Sequence, residues 1–362
     1  MKKKSRIAIL QPEVPHYRED FFSLLRRECE SMDIYVYNSF TDAKSNGFYV
    51  EAKGVKYIAN KQIHGFLLND PLVLLNSKYD TLVLMLHFAH ITTWLLLLTK
   101  FIHKKKIILY GQGISVKRYL KEEKKPDWKL KLMIALADGA WVYMDKEYQQ
   151  WHQLFPKKEI IALGNTISGI KEIMAYKPTV AKDVIKEKYG MREEVLLIFC
   201  ARFTSPYRRV DLLVETIKRL DKKRFGFIII GDGENKPDFT SYSNVHDFGA
   251  VYDTTIKKDL FSAADIYFQP GWVGLSIVEA MAYGLPIFTF KRTEETKQCV
   301  EYNYIESGKN GLLFEHIDDC VDRIKKISST EIKLLGENAK HLAGTLTAEK
   351  MADNAMSVIN KL

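Results

Sequence analysis

Cysteine is sparse in this chain: Cys29, Cys200, Cys299 and Cys320 lie far apart in 362 residues, and no CxxC pair occurs. That spacing excludes a disulfide framework and gives no zinc-ligand pattern, so the thiols read as reduced side chains of a cytosolic protein. Sequence repeats and low-complexity tracts are missing, and a hydrophobic content of 46% with 12% aromatics excludes global disorder. There is no Asp-x-Asp anywhere. The apolar run behind the basic start Met1-Lys2-Lys3-Lys4 ends at Leu10, too short for a signal peptide and suited to a first strand. Neither a helix-turn-helix signal nor a stretch interleaving aromatic and basic residues is present, which argues against nucleic acid as a partner.

One long run lacks charge. Thr81–Thr99 spans 19 residues without a charged side chain, long enough to weigh as a membrane span. Its two parts differ in character. Thr81–Leu86 is a short apolar run, as in a buried parallel strand, and His87–Lys100 resembles a helix leading to Lys104-Lys105-Lys106. A strand and helix packed in a core are expected, with the Trp94–Leu98 segment and its basic flank offering a peripheral contact with an anionic inner-membrane face.

Acidic residues fall short only in the first half. Residues 1–170 hold 26 Lys/Arg against 17 Asp/Glu, and the remainder has 28 of each, so the whole net charge of +9 lies early in the chain. Such a half suits an anionic membrane face or a phosphorylated acceptor; solvated surface charge is the plainer alternative.

The length fits two domains of about 150–200 residues each. Short apolar strands alternate with helical stretches throughout, the pattern of parallel sheets covered by helices on both faces. Strands are expected near 6–10, 33–37, 81–86, 106–110, 139–143 and 159–163, and again near 195–200, 226–230, 245–248, 266–269, 286–289 and 311–314. Two doubly wound α/β domains of Rossmann-like type follow, facing across a cleft. The first is expected over 1–168 and the second over 169–345, and a final helix over 346–362 packs back on the first.

The strongest single stretch is Gln269 through Ile287. A glycine turn follows a buried strand, a helix opens near Leu275, and Glu279 is its one acid. Amides at a helix start hold phosphate without a charged side chain, and a carboxylate one turn on can accept from sugar hydroxyls. Arg202 and Arg208 leave the end of the strand at 195–200. Guanidinium groups there can stabilise a departing diphosphate by forked hydrogen bonds, whereas solvated cations at a helix start are the alternative. Gly231-Asp232-Gly233 is a further turn at a strand end, and the Val245–Val251 stretch also ends a strand in a glycine turn.

Taken together, Arg202–Leu213, Ile230–Gly233, Phe248-Gly249, Ala263–Ile266, Gly274–Pro286 and Ser307–Leu313 resemble family 4 of the glycosyltransferases, the "group 1" transferases of GT-B fold. In the first half only Val14–Arg18, Ala137-Asp138 with Tyr143, and Asn165–Ile167 are similar. The resemblance implies retaining transfer of a hexose-type sugar from a nucleotide diphosphate sugar, UDP-linked by default. The acceptor it implies is a glycan or lipid-linked molecule in cell-surface polysaccharide biosynthesis. The enzyme would be cytoplasmic, peripheral on the inner membrane face, and without metal or other cofactor, in keeping with the missing Asp-x-Asp. Glu279 would bind ribose or sugar hydroxyls, Gly274, Leu275 and Ser276 would hold phosphate, and Arg202 with Arg208 would neutralise the leaving group. Gly231, Gly233, Phe248, Val251 and Gly271 complete the donor set.

Three departures stand out. The first of the family's two acids, seven residues apart, falls on Gly271. The second cation, usually a lysine five residues after the arginine, is Arg208. A histidine expected after the strand at 106–110 is replaced by Gln112, which can hydrogen-bond but cannot act as a base. His16, in the loop after the first strand, is then the best acceptor-side histidine, and His87 and His90 are expected in the core. These departures leave as the alternative a catalytically silent relative that binds nucleotide or sugar as a partner subunit. A sugar-nucleotide epimerase would share the fold.

Overall fold

The computed structural model describes residues 4–38 and 54–362; Met1–Lys3 of the basic start lie outside them. The chain forms two compact units, Met1–Gly169 with Thr347–Leu362, and Ile170–Leu346.

In the first unit, β1 (Arg6–Gln11), β2 (Ser31–Val36) and β3 (Val55–Tyr57) are followed by a hairpin of β4 (Asn60–Ile63) and β5 (Phe66–Asn69). Then come β6 (Thr81–Met85), β7 (Lys106–Gly111), β8 (Gly139–Val142) and β9 (Glu159–Ala162). Seven of these make one parallel sheet of order β3-β2-β1-β6-β7-β8-β9. Its central strands read as unbroken apolar runs because both faces are covered. Ile7, Ile9, Val83 and Ile108 face one layer and Ala8, Leu10, Leu82, Leu84 and Leu109 the other.

The closing helix Ala348–Ile359 belongs to this unit. Its Met351, Ala355, Val358 and Ile359 recur at helical spacing and pack with Phe21, Phe22 and Leu25 of the Glu19–Glu28 helix. Thr347 caps its start by accepting from the Lys350 amide, and Asn354 Nδ2 donates to the carbonyls of Ala162 and Leu163 at 3.1 and 3.2 Å.

The uncharged run resolves into β6, a turn and the helix Ile91–Leu98. The helix starts later than the sequence suggests because His87–His90 form a turn whose Ala89 carbonyl accepts from the Leu67 amide of the hairpin. Among the described residues, no helix is long and apolar enough to cross a membrane.

The second unit holds β10 (Val195–Cys200), β11 (Phe225–Ile230), β12 (Val245–Asp247), β13 (Ile266–Phe268), β14 (Ile287–Phe290) and β15 (Gly311–Phe314). They form a parallel sheet of order β12-β11-β10-β13-β14-β15, a doubly wound arrangement. Leu197, Phe199, Phe227, Ile229, Ile266, Phe268 and Phe288 fill one face of it. Burying each such side chain contributes about 1.5–3 kcal/mol. The Ile170–Ala175 helix packs on helices Ser276–Ala282 and Ser329–Thr345 of this unit.

Candidate active site

Ligands of open parallel sheets lie beyond the carboxyl ends of the strands, where the strand order reverses. In the second unit that point is between β10 and β13, which pair directly. β10 runs out into Ala201-Arg202 and β13 into Gln269–Trp272, so the two strongest motifs begin side by side.

Buried Gln269 organises the second exit. Its Nε2 donates to the carbonyls of Gly271 and Trp272 at 3.0 and 2.7 Å, and its Oε1 accepts from the Tyr267 hydroxyl at 2.8 Å. That hydroxyl also lies 2.8 Å from Ser276 Oγ and 3.0 Å from the Cys200 carbonyl, which links the helix start to the end of β10. Arg208 Nη1 donates to the Trp272 carbonyl at 2.8 Å. Trp272 is left-handed, φ +53°, unusual for a bulky residue, and its ring stacks on Tyr207 with centroids 4.9 Å apart.

Gly271 is buried beneath this pair. A Cβ there would stand 2.3 Å from the Tyr207 carbonyl oxygen and 2.9 Å from Arg209 Cγ. The acid of the family pattern is therefore excluded by space. Arg209 is not solvated as its position at a helix start suggests: Nε and Nη2 grip the Asp211 carboxylate at 2.9 and 2.7 Å, and Nη1 reaches Thr296 Oγ1 at 2.5 Å.

Glu279 is the fourth residue of the Ser276–Ala282 helix and is 16% exposed. Both carboxylate oxygens meet Lys257 Nζ, at 2.7 and 2.8 Å. Lys257 comes from the Thr254–Ala263 helix, whose start Asp253 caps by accepting from the amides of Thr255 and Ile256. Burial works against the charge on Lys257, yet the Glu279 carboxylate and Cys200 beside it hold its pKa above the ordinary value. Burial likewise pushes the Cys200 thiol up to about 11, against the pull of Lys257 and Arg208. Burial lowers the Arg208 pKa from its usual value. Arg202 is exposed at the β10 exit. At the helix start, Leu275 has φ −58° and ψ −20° and makes no side-chain cap hydrogen bond, and the Ile277 amide donates to the Gly274 carbonyl at 3.1 Å.

The glycine turn after β11 is demanded by crowding. With φ +136°, Gly231 would put a Cβ 2.0 Å from the Ala201 carbonyl oxygen; Gly233, φ +149°, would put one 2.6 Å from the Phe203 carbonyl carbon. The Gly231 amide donates to the Gly249 carbonyl at 2.7 Å, and Asp232 accepts from the Ala250 amide at 2.7 Å. Residues 231–233 and 248–251 are thus one tied assembly. Phe248 meets Tyr189 edge-on at 5.5 Å, and Val251 is half-buried.

In the first unit the strand order reverses between β1 and β6. His16 follows β1, exposed in the short turn His16–Arg18; Gln112 follows β7, half-buried. β6 lies between those strands, and its exit carries His87. His87 is exposed, contrary to the core position expected, and stacks on Phe88 at 5.3 Å. Its pKa is lowered by partial burial and by Arg118. His90 is in the core, with Nε2 3.3 Å from the Tyr37 hydroxyl. Arg18 is buried and joins two signature pieces, donating to the Thr166 carbonyl at 2.7 Å and to Asn165 Oδ1. Among the described residues, no group of three or more His, Cys, Asp or Glu is assembled that could hold a metal ion.

Lys257, Gln269 and Tyr267 were not singled out by the sequence. Which of Lys257 and Lys258 faces inward depends on how the Thr254–Ala263 helix packs.

Residues 194–330 match the family described as glycosyl transferases group 1. A comparison with curated proteins returns no match. Among solved structures, HepE of Anabaena in complex with UDP is similar over 99% of this chain and 100% of its own, at 14% identity and a TM-score of 0.69. The lipopolysaccharide outer core galactosyltransferase WaaB, in apo form, covers 99% and 100% at 16% identity and 0.67. A putative UDP-N-acetylglucosamine 2-epimerase from Listeria monocytogenes covers 99% and 96% at 12% identity and 0.61. Residues 194–330, in the second unit, thus match the glycosyl transferases of group 1, and the two Rossmann-like units have the GT-B fold of these solved structures.

Proposed function

We propose that this protein is a retaining glycosyltransferase that moves a hexose-type sugar from a nucleotide diphosphate sugar, UDP-linked by default, to a glycan or lipid-linked acceptor in cell-surface polysaccharide biosynthesis. The observation that carries the reading is that Arg208, donating to the Trp272 carbonyl, and Glu279, paired with Lys257 on the helix that starts at Ser276, follow β10 and β13, the strands that flank the reversal point of the second sheet. The amides at Gly274–Ser276 receive a phosphate, and Arg202 and Arg208 take up the charge that grows on the diphosphate as the glycosidic bond breaks. Glu279 accepts from ribose or sugar hydroxyls. The tied loops 231–233 and 248–251 flank the base. The departing phosphate oxygen takes the acceptor proton on the same face, so Gln112 serves by hydrogen bonding and His16 by contact with the acceptor, with no protein base required. The UDP in the HepE complex supports the choice of donor.

The same reading seats the first unit on an anionic inner-membrane face. Leu98, Phe101 (77% exposed), Ile102 and Trp128 (68%) project into solvent from the Ile91–His103 and Trp128–Leu136 segments, with Lys104, Lys121, Lys124, Lys125 and Lys131 exposed nearby. Apolar side chains among unbalanced lysines suit a lipid interface.

The loss of any side chain at position 271 favours, as a second reading, a silent relative that binds nucleotide without turnover. A thermal-shift panel of UDP, GDP, ADP, CDP and their sugar conjugates, on wild type and Glu279→Ala, separates the two when followed by a transfer assay. A ligand at a hundred times its dissociation constant stabilises the fold by about 2.7 kcal/mol. A selective shift reduced in the variant, with sugar transfer, supports the transferase; a shift without turnover of any conjugate supports the silent relative. Release of an epimerised free sugar would point to epimerase chemistry, and no shift at all sinks the donor-site assignment.

A further inference from the structure

Lys257 has a place in this site that no motif gives it. It enters from the Thr254–Ala263 helix, outside the strand-exit segments that carry Arg202, Arg208 and Glu279, and its Nζ contacts both oxygens of Glu279, at 2.7 and 2.8 Å. The pair is inward-facing, 31% and 16% exposed. Cys200 at the end of β10 lies within the electrostatic reach of Lys257, Glu279 and Arg208 alike.

Two physical consequences follow. An ammonium held by both oxygens fixes the plane of the carboxylate, and each oxygen keeps a further lone pair for a hydroxyl donor. A lone carboxylate would also repel an incoming diphosphate. With Lys257 the local balance is three cations, Arg202, Arg208 and Lys257, against one anion, which matches a doubly negative diphosphate. Hence we propose that Lys257 is a positioning residue of the donor site, holding Glu279 in register for a ligand hydroxyl pair while cancelling its charge toward the diphosphate of a nucleoside diphosphate. The proposal rests on the donor-site reading above.

The test compares binding of UDP and of uridine, and likewise of GDP, ADP and CDP with their nucleosides, by calorimetry on wild type, Lys257→Met, Lys257→Arg, Glu279→Gln and Lys257→Met/Glu279→Gln. The expected result is a loss of about tenfold or more in diphosphate affinity for Lys257→Met, of the size seen when one partner of a buried charge pair is truncated. Nucleoside affinity should fall less, Lys257→Arg should retain most binding, and the double variant should lose less than the sum of the single changes. Lys257→Arg keeps the question answerable if Lys257→Met folds poorly. Equal fractional losses for diphosphate and nucleoside, or strictly additive losses, would overturn the charge-cancelling role. Wild type that binds no nucleoside diphosphate would remove the donor site itself, whereas normal binding by a well-folded Lys257→Met would remove only this proposal.

Discussion

The carbonyl oxygen of Tyr207 stands 2.3 Å from where a Cβ on Gly271 would be built. The glycine and the stacked Tyr207–Trp272 pair therefore form one unit: the rings come together because the backbone beneath them carries no side chain. Gly271→Ala should destabilise the second unit by about 1–3 kcal/mol, the usual cost of overpacking, and Gly271→Glu by more. Thermal melts with a transfer assay check this. If Gly271→Glu were as stable as wild type and transferred faster, the steric account would fail.

Acid should weaken the first unit through His90. Burial, then the neighbouring His87, lowers its pKa to about 4 from an ordinary 6.5. Above about 6.5 the ring is neutral in both folded and unfolded chains and its contribution is intact. As pH falls below that, the unfolded chain takes the proton first, so stability drops through the window from about 6.5 to 4, by about 3 kcal/mol at its full extent. Urea unfolding at pH 7 and pH 5 should show this slope in wild type and a shallower one in His90→Gln. Identical slopes would assign the acid sensitivity to other groups.

Vesicle flotation tests the membrane face. Wild type should float with vesicles containing phosphatidylglycerol, less so at high salt, and not with phosphatidylcholine alone. Phe101→Glu/Ile102→Glu should abolish flotation without changing the melting midpoint, because both side chains are exposed. Flotation that survives the double change, or none in wild type, would rule this surface out.

Strands such as Val195–Cys200 and Phe225–Ile230 were legible because a buried parallel strand is a continuous apolar run bounded by polar turns. The strand Val55–Tyr57 and the Asn60–Asn69 hairpin were not: they are short and little buried, so they make no continuous apolar run, and the hairpin turns at His64-Gly65 with no Asn-Gly signal. At the site, Arg208 and Glu279 could be named from motif spacing. Lys257 could not, since its inward aim is set by packing between a helix and the sheet. Gly271 was visible as a departure, but its cause lies in a carbonyl sixty-four residues earlier in the chain.

The Ala348–Ile359 helix sets an order on biosynthesis. Every residue of the second unit has been made by Leu346, while the first unit still lacks the helix that covers Phe21, Phe22 and Leu25. A nascent chain thus holds a finished second unit and a first unit whose apolar surface stays open until residues 348–359 leave the ribosome. Emergence of the Ala348–Ile359 helix, rather than of the first 169 residues, is the moment at which that surface can close.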